Sequence, residues 1–115
     1  MTLIGVASGA GAPDSSCADG PVALCESPLL ADVSDRGCLD VLRPAAEGTP
    51  LEVISGLCDT LARRTESLVR NASRPFVVGG DHSCAVGTWS GVRAALNGAG
   101  PLGLVWVDAH MDAHV

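Results

Sequence analysis

The 115-residue sequence lacks several features that would assign it to common functional classes. No apolar run approaches the ~20 residues that a membrane-spanning helix needs, and the N-terminus has no basic region of the kind that opens a signal peptide. Charged residues make up only 17% of the chain, and the net charge is -6. This acidic balance argues against binding to nucleic acid or to an anionic membrane. With 47% hydrophobic residues, we expect one soluble globular domain at most.

Cysteine motifs are also absent. The five cysteines are Cys17, Cys25, Cys38, Cys58 and Cys84. No C-x2-C pair occurs, so the sequence does not predict a zinc site built on thiolates. The odd number and irregular spacing predict no disulfide framework either. We therefore expect a reducing, cytoplasmic location.

The first half of the chain gives weak structural signals. Thr2 to Ala7 is short and apolar and predicts a buried strand. The Gly-rich loop at Ser8 to Gly11 matches no dinucleotide-binding or phosphate-loop pattern and lacks the lysine that would meet a phosphate. In the irregular text that follows, Pro21 to Cys25 and Gly37 to Leu42 each fit either short helical turns or an edge strand. The sequence does not decide between the two.

A helix with clear ends opens the second half. Thr49 is placed to be its N-cap, Pro50 suits the first turn, and Glu52 completes a capping box. Apolar residues then recur at helical spacing until about Asn71, shortly before Arg74-Pro75. We therefore predict a long amphipathic helix over this stretch, with an arginine-bearing face in solvent.

The sequence after this helix predicts a strand, a helix and a second strand. Pro75 to Gly79 is apolar, Ser83 to Asn97 has helical character with a face of small residues, and Pro101 to Val107 is wholly apolar. Such a unit forms parallel strands, whose carboxyl ends lie at the same edge of a sheet. That edge is where open α/β folds place their ligands. We expect the small-residue face of the helix to pack closely on the sheet.

Residues that can bind metal ions follow both predicted strands. His82 follows the first, while Asp108, His110, Asp112 and His114 follow the second at every other position. Residues two apart in an extended segment share a face, so these four side chains can point the same way. Asp108 to Asp112 would span roughly 13 Å when extended, which is too far for one ion unless the chain bends. A mixed set of carboxylates and imidazoles suits a two-metal site with manganese-like ions.

Two of these motifs together resemble the arginase/agmatinase/formimidoylglutamase family, the ureohydrolases. They are G-G-D-H-S at Gly79 to Ser83 and D-A-H-M-D at Asp108 to Asp112, in this order and with a predicted helix between them. The resemblance implies an arginase-like three-layer α/β/α fold, a parallel sheet with flanking helices that is incomplete in this chain. Residues 1–115 would form the N-terminal part of a single domain, ending before the family's second pair of aspartate ligands.

The resemblance also implies a metal-ligand set of two Mn²⁺ ions. His82 corresponds to a ligand of the first manganese and Asp112 to another ligand of the same ion. Asp108 corresponds to a carboxylate that bridges both ions, and His110 to a ligand of the second. No residue of this chain matches a catalytic acid or base of the family.

Other residues near these motifs have expected supporting roles. His114 stands where arginases often carry an Asn that reads the amino-acid end of the substrate, and this departure leaves the substrate open. Asp81 is expected either to orient His82 or to cap the following helix, as a residue behind the metal ligands. Trp106 is expected to fill the core. Cys84 is expected to be a buried small residue that opens the helix, without a nucleophilic role.

The implied activity is hydrolysis of a guanidino or amidine C–N bond by water activated between two metal ions, with L-arginine giving ornithine and urea as the first substrate considered. The partners implied are a small guanidino substrate and, for the complete protein, further copies in a trimer or hexamer. The 115-residue chain alone is expected to be inactive.

An alternative is a non-catalytic truncated relative that serves as a metal-binding or interaction module. A third hypothesis is a deacetylase-like enzyme, against which G-G-D-H-S argues.

Overall fold

The computed structural model describes residues 1–30, 37–45 and 48–108. Strands and helices alternate along the chain, with short 3-10 turns on either side of the first helix. The strands and helices are β1 (Thr2–Val6), α1 (Asp19–Glu26), β2 (Cys38–Leu42), α2 (Pro50–Arg70), β3 (Pro75–Gly79) and α3 (Cys84–Leu96).

The three strands form one parallel sheet in the order β2-β1-β3. Between β1 and β3 the register runs without a break from Thr2 opposite Pro75 to Val6 opposite Gly79. All carboxyl ends of the strands therefore lie at one edge, as the predicted strand-helix connections require. The predicted α/β class with a parallel sheet is confirmed.

Helices cover both faces of the central strand. Ile4 and Val6 are buried against Leu57 and Leu61 of α2. Gly5 points to the opposite face because side chains alternate along a strand, and a Cβ atom there would lie 3.0 Å from Cys25 Sγ of α1. The architecture is thus α1, sheet and α2 in three layers.

Local capping sets the bounds of α2. The Thr49 N–H donates to Glu52 Oε2 at 2.9 Å, and the Glu52 N–H donates to Thr49 Oγ1 at 3.4 Å. The hydrogen bonds from Thr49 lower the pKa of Glu52. The helix ends at Arg70, and Asn71 is its C-cap. The capping box and the end predicted from the sequence are therefore confirmed.

The stretches that the sequence left open adopt one structure each. Pro21 to Cys25 lies within α1, and β2 is an edge strand. A disulfide joins Cys25 to Cys38, whose Cα atoms are 5.3 Å apart. The expectation that no disulfide forms is therefore wrong for this pair. The pairing arises because the end of α1 comes to lie beside the start of β2, a tertiary relation that cysteine spacing does not reveal.

Two expectations about the last part of the chain are also wrong. Residues 101–107 form no strand, and Val105 and Val107 are 88% and 94% exposed. A strand that is apolar on both faces is stable when both faces are covered, and no described element covers this run. The small-residue face of α3 packs on α2 and not on the sheet, because Gly87 and Gly91 let the helix approach the backbone of Cys58 and Ala62.

No helix in the described ranges combines the length and the apolar character that crossing a membrane would require.

Candidate functional site

The candidate site lies at the carboxyl edge of the sheet, where the loop after β1 meets the turn after β3. The Gly80 N–H donates to Val6 O at 3.1 Å, so the two chain segments leave the sheet side by side. A Cβ atom at Gly80 would collide with Ser8 O and lie 2.8 Å from Cys17 O. Only glycine allows this close approach of the two backbones.

The Asp81 carboxylate joins these segments through two backbone amides. Its Oδ1 accepts a hydrogen bond from the Ser83 N–H at 2.8 Å, and its Oδ2 accepts one from the Gly11 N–H at 3.1 Å. The first bond joins Asp81 to the residue two positions later, Ser83, which is the N-cap of α3, and within the described residues α3 has no side-chain capping hydrogen bond. The two roles expected for Asp81, orienting His82 or capping α3, stay predictions, and its hydrogen bonds add a contact to the β1 loop that the sequence did not suggest.

His82 and Asp108 come together although they are far apart in the sequence. His82 Nε2 lies 3.5 Å from Asp108 Oδ2, with the imidazole 74% exposed and the carboxylate only 8% exposed. The sequence led us to expect this meeting at the ends of two parallel strands, but residues 101–107 form no strand, and only His82 follows a strand. An imidazole nitrogen and a carboxylate oxygen at this separation are two donors that a manganese-like ion accepts.

Trp106 belongs to the same cluster. Its indole Nε1–H donates to Asp108 Oδ2 at 3.2 Å, and its ring meets the His82 ring edge-on with centroids 5.6 Å apart. The residue is 47% exposed, so the expectation that it fills the core is wrong. The sequence did carry a signal, because residues two apart in an extended segment share a face and an indole N–H commonly finds an acceptor.

The remaining predicted ligands, His110 and Asp112, and the predicted substrate contact His114, lie outside the described residues. In the part of the chain that the structure describes, no three His, Cys, Asp or Glu residues gather into a metal-binding group. The described donors are thus one imidazole and one carboxylate. Their chemistry fits half of a mixed nitrogen and oxygen site.

Cys84 borders the site at the start of α3. Burial raises the pKa of its thiol, and the nearby charge of Asp81 and then Cys58 add to this effect. The Cys58 Sγ–H donates to Ser83 O at 3.1 Å, which ties α2 to the same turn. A thiol with a raised pKa stays protonated and unreactive at neutral pH, in line with the structural role expected for Cys84.

Comparisons with known proteins show which family this chain resembles. The model of the Arginase family matches residues 1–115. Human arginase-1 is 30% identical over 96% of this chain and 37% of its own length, and Staphylococcus aureus arginase is 29% identical over 100% of this chain and 42% of its own. Formimidoylglutamase from Aeromonas salmonicida is 42% identical over 52 residues, which are 45% of this chain and 17% of that protein.

A solved structure shows the same likeness. The crystal structure of arginase from Bacillus subtilis superposes with a TM-score of 0.68 at 26% sequence identity. The superposition covers 82% of this chain and 34% of the Bacillus chain. The chain spans less than half the length of each of these relatives. From the family match over all of its residues and the shared fold, the chain belongs to the arginase family.

Proposed function

We propose that this protein hydrolyses a guanidino or amidine C–N bond, and that residues 1–115 are the N-terminal part of its single catalytic domain. Membership in the arginase family supports a hydrolase of this type. The observation that carries the proposal is the approach of His82 Nε2 to 3.5 Å from Asp108 Oδ2 at the carboxyl edge of the sheet. L-Arginine, giving ornithine and urea, is the first substrate to test because three arginases match nearly the whole chain.

The proposed centre holds two Mn²⁺ ions through His82, Asp108, His110 and Asp112. When bound, such ions supply Lewis acidity and a reactive water near neutral pH. Residues that the structure describes restrict the orientation of one of these ligands, the Asp108 carboxylate. Asp108 is almost fully buried and its Oδ2 accepts the indole N–H of Trp106, which limits the orientations of the carboxylate.

The remaining elements of the proposal concern substrate, assembly and location. His114 would contact the substrate, and the complete protein would form a homo-oligomer, a trimer or hexamer. A cytoplasmic location is proposed from the arginase-family match and not from the cysteine spacing, whose expectation of no disulfide the Cys25–Cys38 bridge contradicts. Recovery of the protein from cells with the Cys25–Cys38 bridge intact would count against that location.

The test compares hydrolysis and metal content in the native protein that carries residues 1–115. The Mn²⁺-loaded protein is assayed for urea release from L-arginine and agmatine and for formamide release from formimidoylglutamate. We expect His82→Ala and Asp108→Asn to lose more activity and bound Mn²⁺ than the roughly 10–100-fold that outer-shell changes cost. Asp59→Asn is the matched control, because it removes one charge from an exposed pair with Arg63 on α2.

The results separate the proposed enzyme from the non-catalytic alternative. Mn²⁺ that is retained by the native protein and lost in the two variants, without hydrolysis of any guanidino or amidine substrate, would favour a metal-binding relative. Hydrolysis that persists in His82→Ala and Asp108→Asn would overturn the proposed site. Urea release by residues 1–115 alone would contradict the expectation that this portion is inactive by itself.

A further inference from the structure

The Asp81 carboxylate accepts hydrogen bonds from the loop after β1 and from the turn after β3, and we call this pair of bonds the Asp81 clamp. His82 is the residue that follows Asp81. One carboxylate oxygen holds the Ser83 N–H at 2.8 Å and the other holds the Gly11 N–H at 3.1 Å. The two amides, of Gly11 and Ser83, are 72 residues apart in the sequence. His82 lies between Asp81 and Ser83, the two residues of the turn after β3 that the bonds hold. Hydrogen bonds to an ionised carboxylate are among the stronger ones in proteins.

The β1 loop fits the clamp closely. A Cβ atom at Gly11 would lie 2.9 Å from Asp81 Oδ1 and 3.4 Å from Ser83 Cβ. Gly11 is not among the residues with positive φ, so its backbone conformation is open to alanine. A methyl group at position 11 would therefore have to displace the Asp81 carboxylate that forms the clamp.

His82 depends on its backbone for its position. Its side chain is 74% exposed, and its described contacts are the ring of Trp106 and the carboxylate of Asp108. An exposed imidazole has many rotamers available relative to the main chain, so fixing the backbone on both sides of it narrows the positions that Nε2 can reach. The Asp81 clamp fixes the backbone beside His82 by binding it to Gly11, in the loop after the neighbouring strand β1.

We propose that Asp81 is a positioning residue that fixes His82 opposite Asp108 by tying the turn after β3 to the β1 loop at Gly11. The consequence for metal binding rests on the proposed function. The geometric consequence, that the His82 ring stays against Trp106 and Asp108, does not.

The first test measures Mn²⁺ affinity by isothermal titration calorimetry in the native protein and in two variants that disturb the clamp from opposite sides. Asp81→Asn keeps the shape but turns an NH₂ group toward a backbone N–H. Gly11→Ala keeps every charge and pushes a methyl group against Asp81 Oδ1. We expect both to weaken Mn²⁺ binding by roughly 10–100-fold, as changes behind metal ligands do.

Matched controls isolate the positioning effect. Asp59→Asn removes a charge from an exposed pair, and Gly56→Ala adds a methyl group where nothing lies within 4 Å. Both should leave affinity within about twofold of the native protein, since surface changes of this kind have small effects. A loss in Asp81→Asn with native affinity in Gly11→Ala would mean that Asp81 acts through its charge, and would overturn the proposal.

A second measurement needs no metal. In the metal-free native protein, the rings of His82 and Trp106 with centroids 5.6 Å apart should give nuclear Overhauser effects between their protons. Asp81→Asn and Gly11→Ala should weaken these signals, and the two controls should keep them. Native signals in both clamp variants would overturn the proposal. If the native protein binds no Mn²⁺, the proposed function fails and this measurement still decides the role of Asp81.

Discussion

Two apolar runs of this chain precede the two described members of the candidate site, yet only one of them is a strand. Pro75–Gly79 forms β3, in parallel register with β1, and leads to His82. Residues 101–107 are more apolar and lead directly to Asp108, but they have no strand structure and their valines are among the most exposed residues. Apolar character therefore does not explain which run becomes a strand.

The edge strand β2 shows what determines whether a run becomes a strand. Leu39 is 40% exposed and Asp40 carries a charge, so β2 is less apolar than residues 101–107. It is nevertheless paired with β1 and covalently tied to α1 through Cys25–Cys38. Strand structure follows pairing with a neighbour and coverage by a helix, which are properties of the surroundings and not of the run itself.

The largest effect that we expect comes from removing the Cys25–Cys38 disulfide, which ties β2 to α1. In the chain-entropy description, a bridge that closes a loop of about 15 residues contributes about 3 kcal/mol to the free energy of unfolding. We expect the double variant Cys25→Ser, Cys38→Ser to lose about this much, and β2 to lose protection from amide hydrogen exchange. The loss is measured as the difference in the free energy of unfolding in urea between the native chain and the double variant, each under oxidising and non-oxidising conditions.

Cys17→Ser is the control for the bridge, because Cys17 is a free cysteine of intermediate burial. It should respond to reductant as the native chain does. Equal stability of the native chain with and without reductant would contradict a structural role for the bridge.

A matched pair of valines compares the two runs directly. Val6 of β1, opposite Gly79, is 1% exposed, whereas Val107 is 94% exposed. Val6→Ala should cost about 2–3 kcal/mol through lost burial and a cavity in the core. Val107→Ala should change the free energy of unfolding by less than about 0.5 kcal/mol.

Denaturant midpoints of the two variants provide the measurement. Similar losses for Val6→Ala and Val107→Ala would show that residues 101–107 are packed in solution, and the distinction between the runs would then fail.

Sequence reasoning succeeded where the signal is local. Thr49, Pro50 and Glu52 determine the start of α2 through contacts within one turn, and Pro75 limits how far the helix can continue. The bounds of β3 followed from its short apolar run between Arg74 and the glycine pair at Gly79 and Gly80. The bounds of α2 and β3 need no knowledge of the rest of the fold. The meeting of His82 with Asp108 was expected from two parallel strands, but residues 101–107 form no strand, so the two residues meet without the pairing that the expectation required.

The relations that the sequence did not reveal depend on distant neighbours. The Cys25–Cys38 bridge, the Gly11 contact of Asp81 and the packing of Gly87 on α2 each join segments whose approach is decided by the assembled layers. The apolar run at 101–107 was misjudged for the same reason, because strand propensity reports how well a residue fits a covered sheet and not whether a sheet is beside it.

A smaller effect tests the helix that covers β1 and β3. Thr49→Ala removes the acceptor for the Glu52 N–H and should lower the free energy of unfolding by about 1 kcal/mol. Thr60→Ala is the matched control, since its hydroxyl donates to Gly56 O within the helix and is exposed. A loss in Thr60→Ala as large as that in Thr49→Ala would indicate that general threonine effects, and not the cap, account for the change.

The last expected effect is on thiol reactivity and not on stability, and it compares the covered turn with the uncovered run. Cys84 follows the G-G-D-H-S turn, and burial together with the charge of Asp81 raises the pKa of its thiol. A cysteine introduced by Val107→Cys would occupy a position that is 94% exposed in the native chain. Because the thiolate is the reactive form, we expect iodoacetamide to modify Cys84 at least about tenfold more slowly at pH 7 than the introduced thiol, as measured by peptide mass spectrometry.

The direction of the pKa shift also determines the pH dependence. A raised pKa means that the folded state holds the Cys84 proton more tightly than the unfolded chain does, so this contribution to stability is present at neutral pH and is lost as the pH rises through the folded-state pKa. The modification rate of Cys84 should accordingly keep rising at alkaline pH after that of the introduced thiol has levelled off. Equal rates and equal pH profiles for the two thiols would show that the turn beside His82 is no better covered than residues 101–107, and that the contrast between the two runs does not extend to the site.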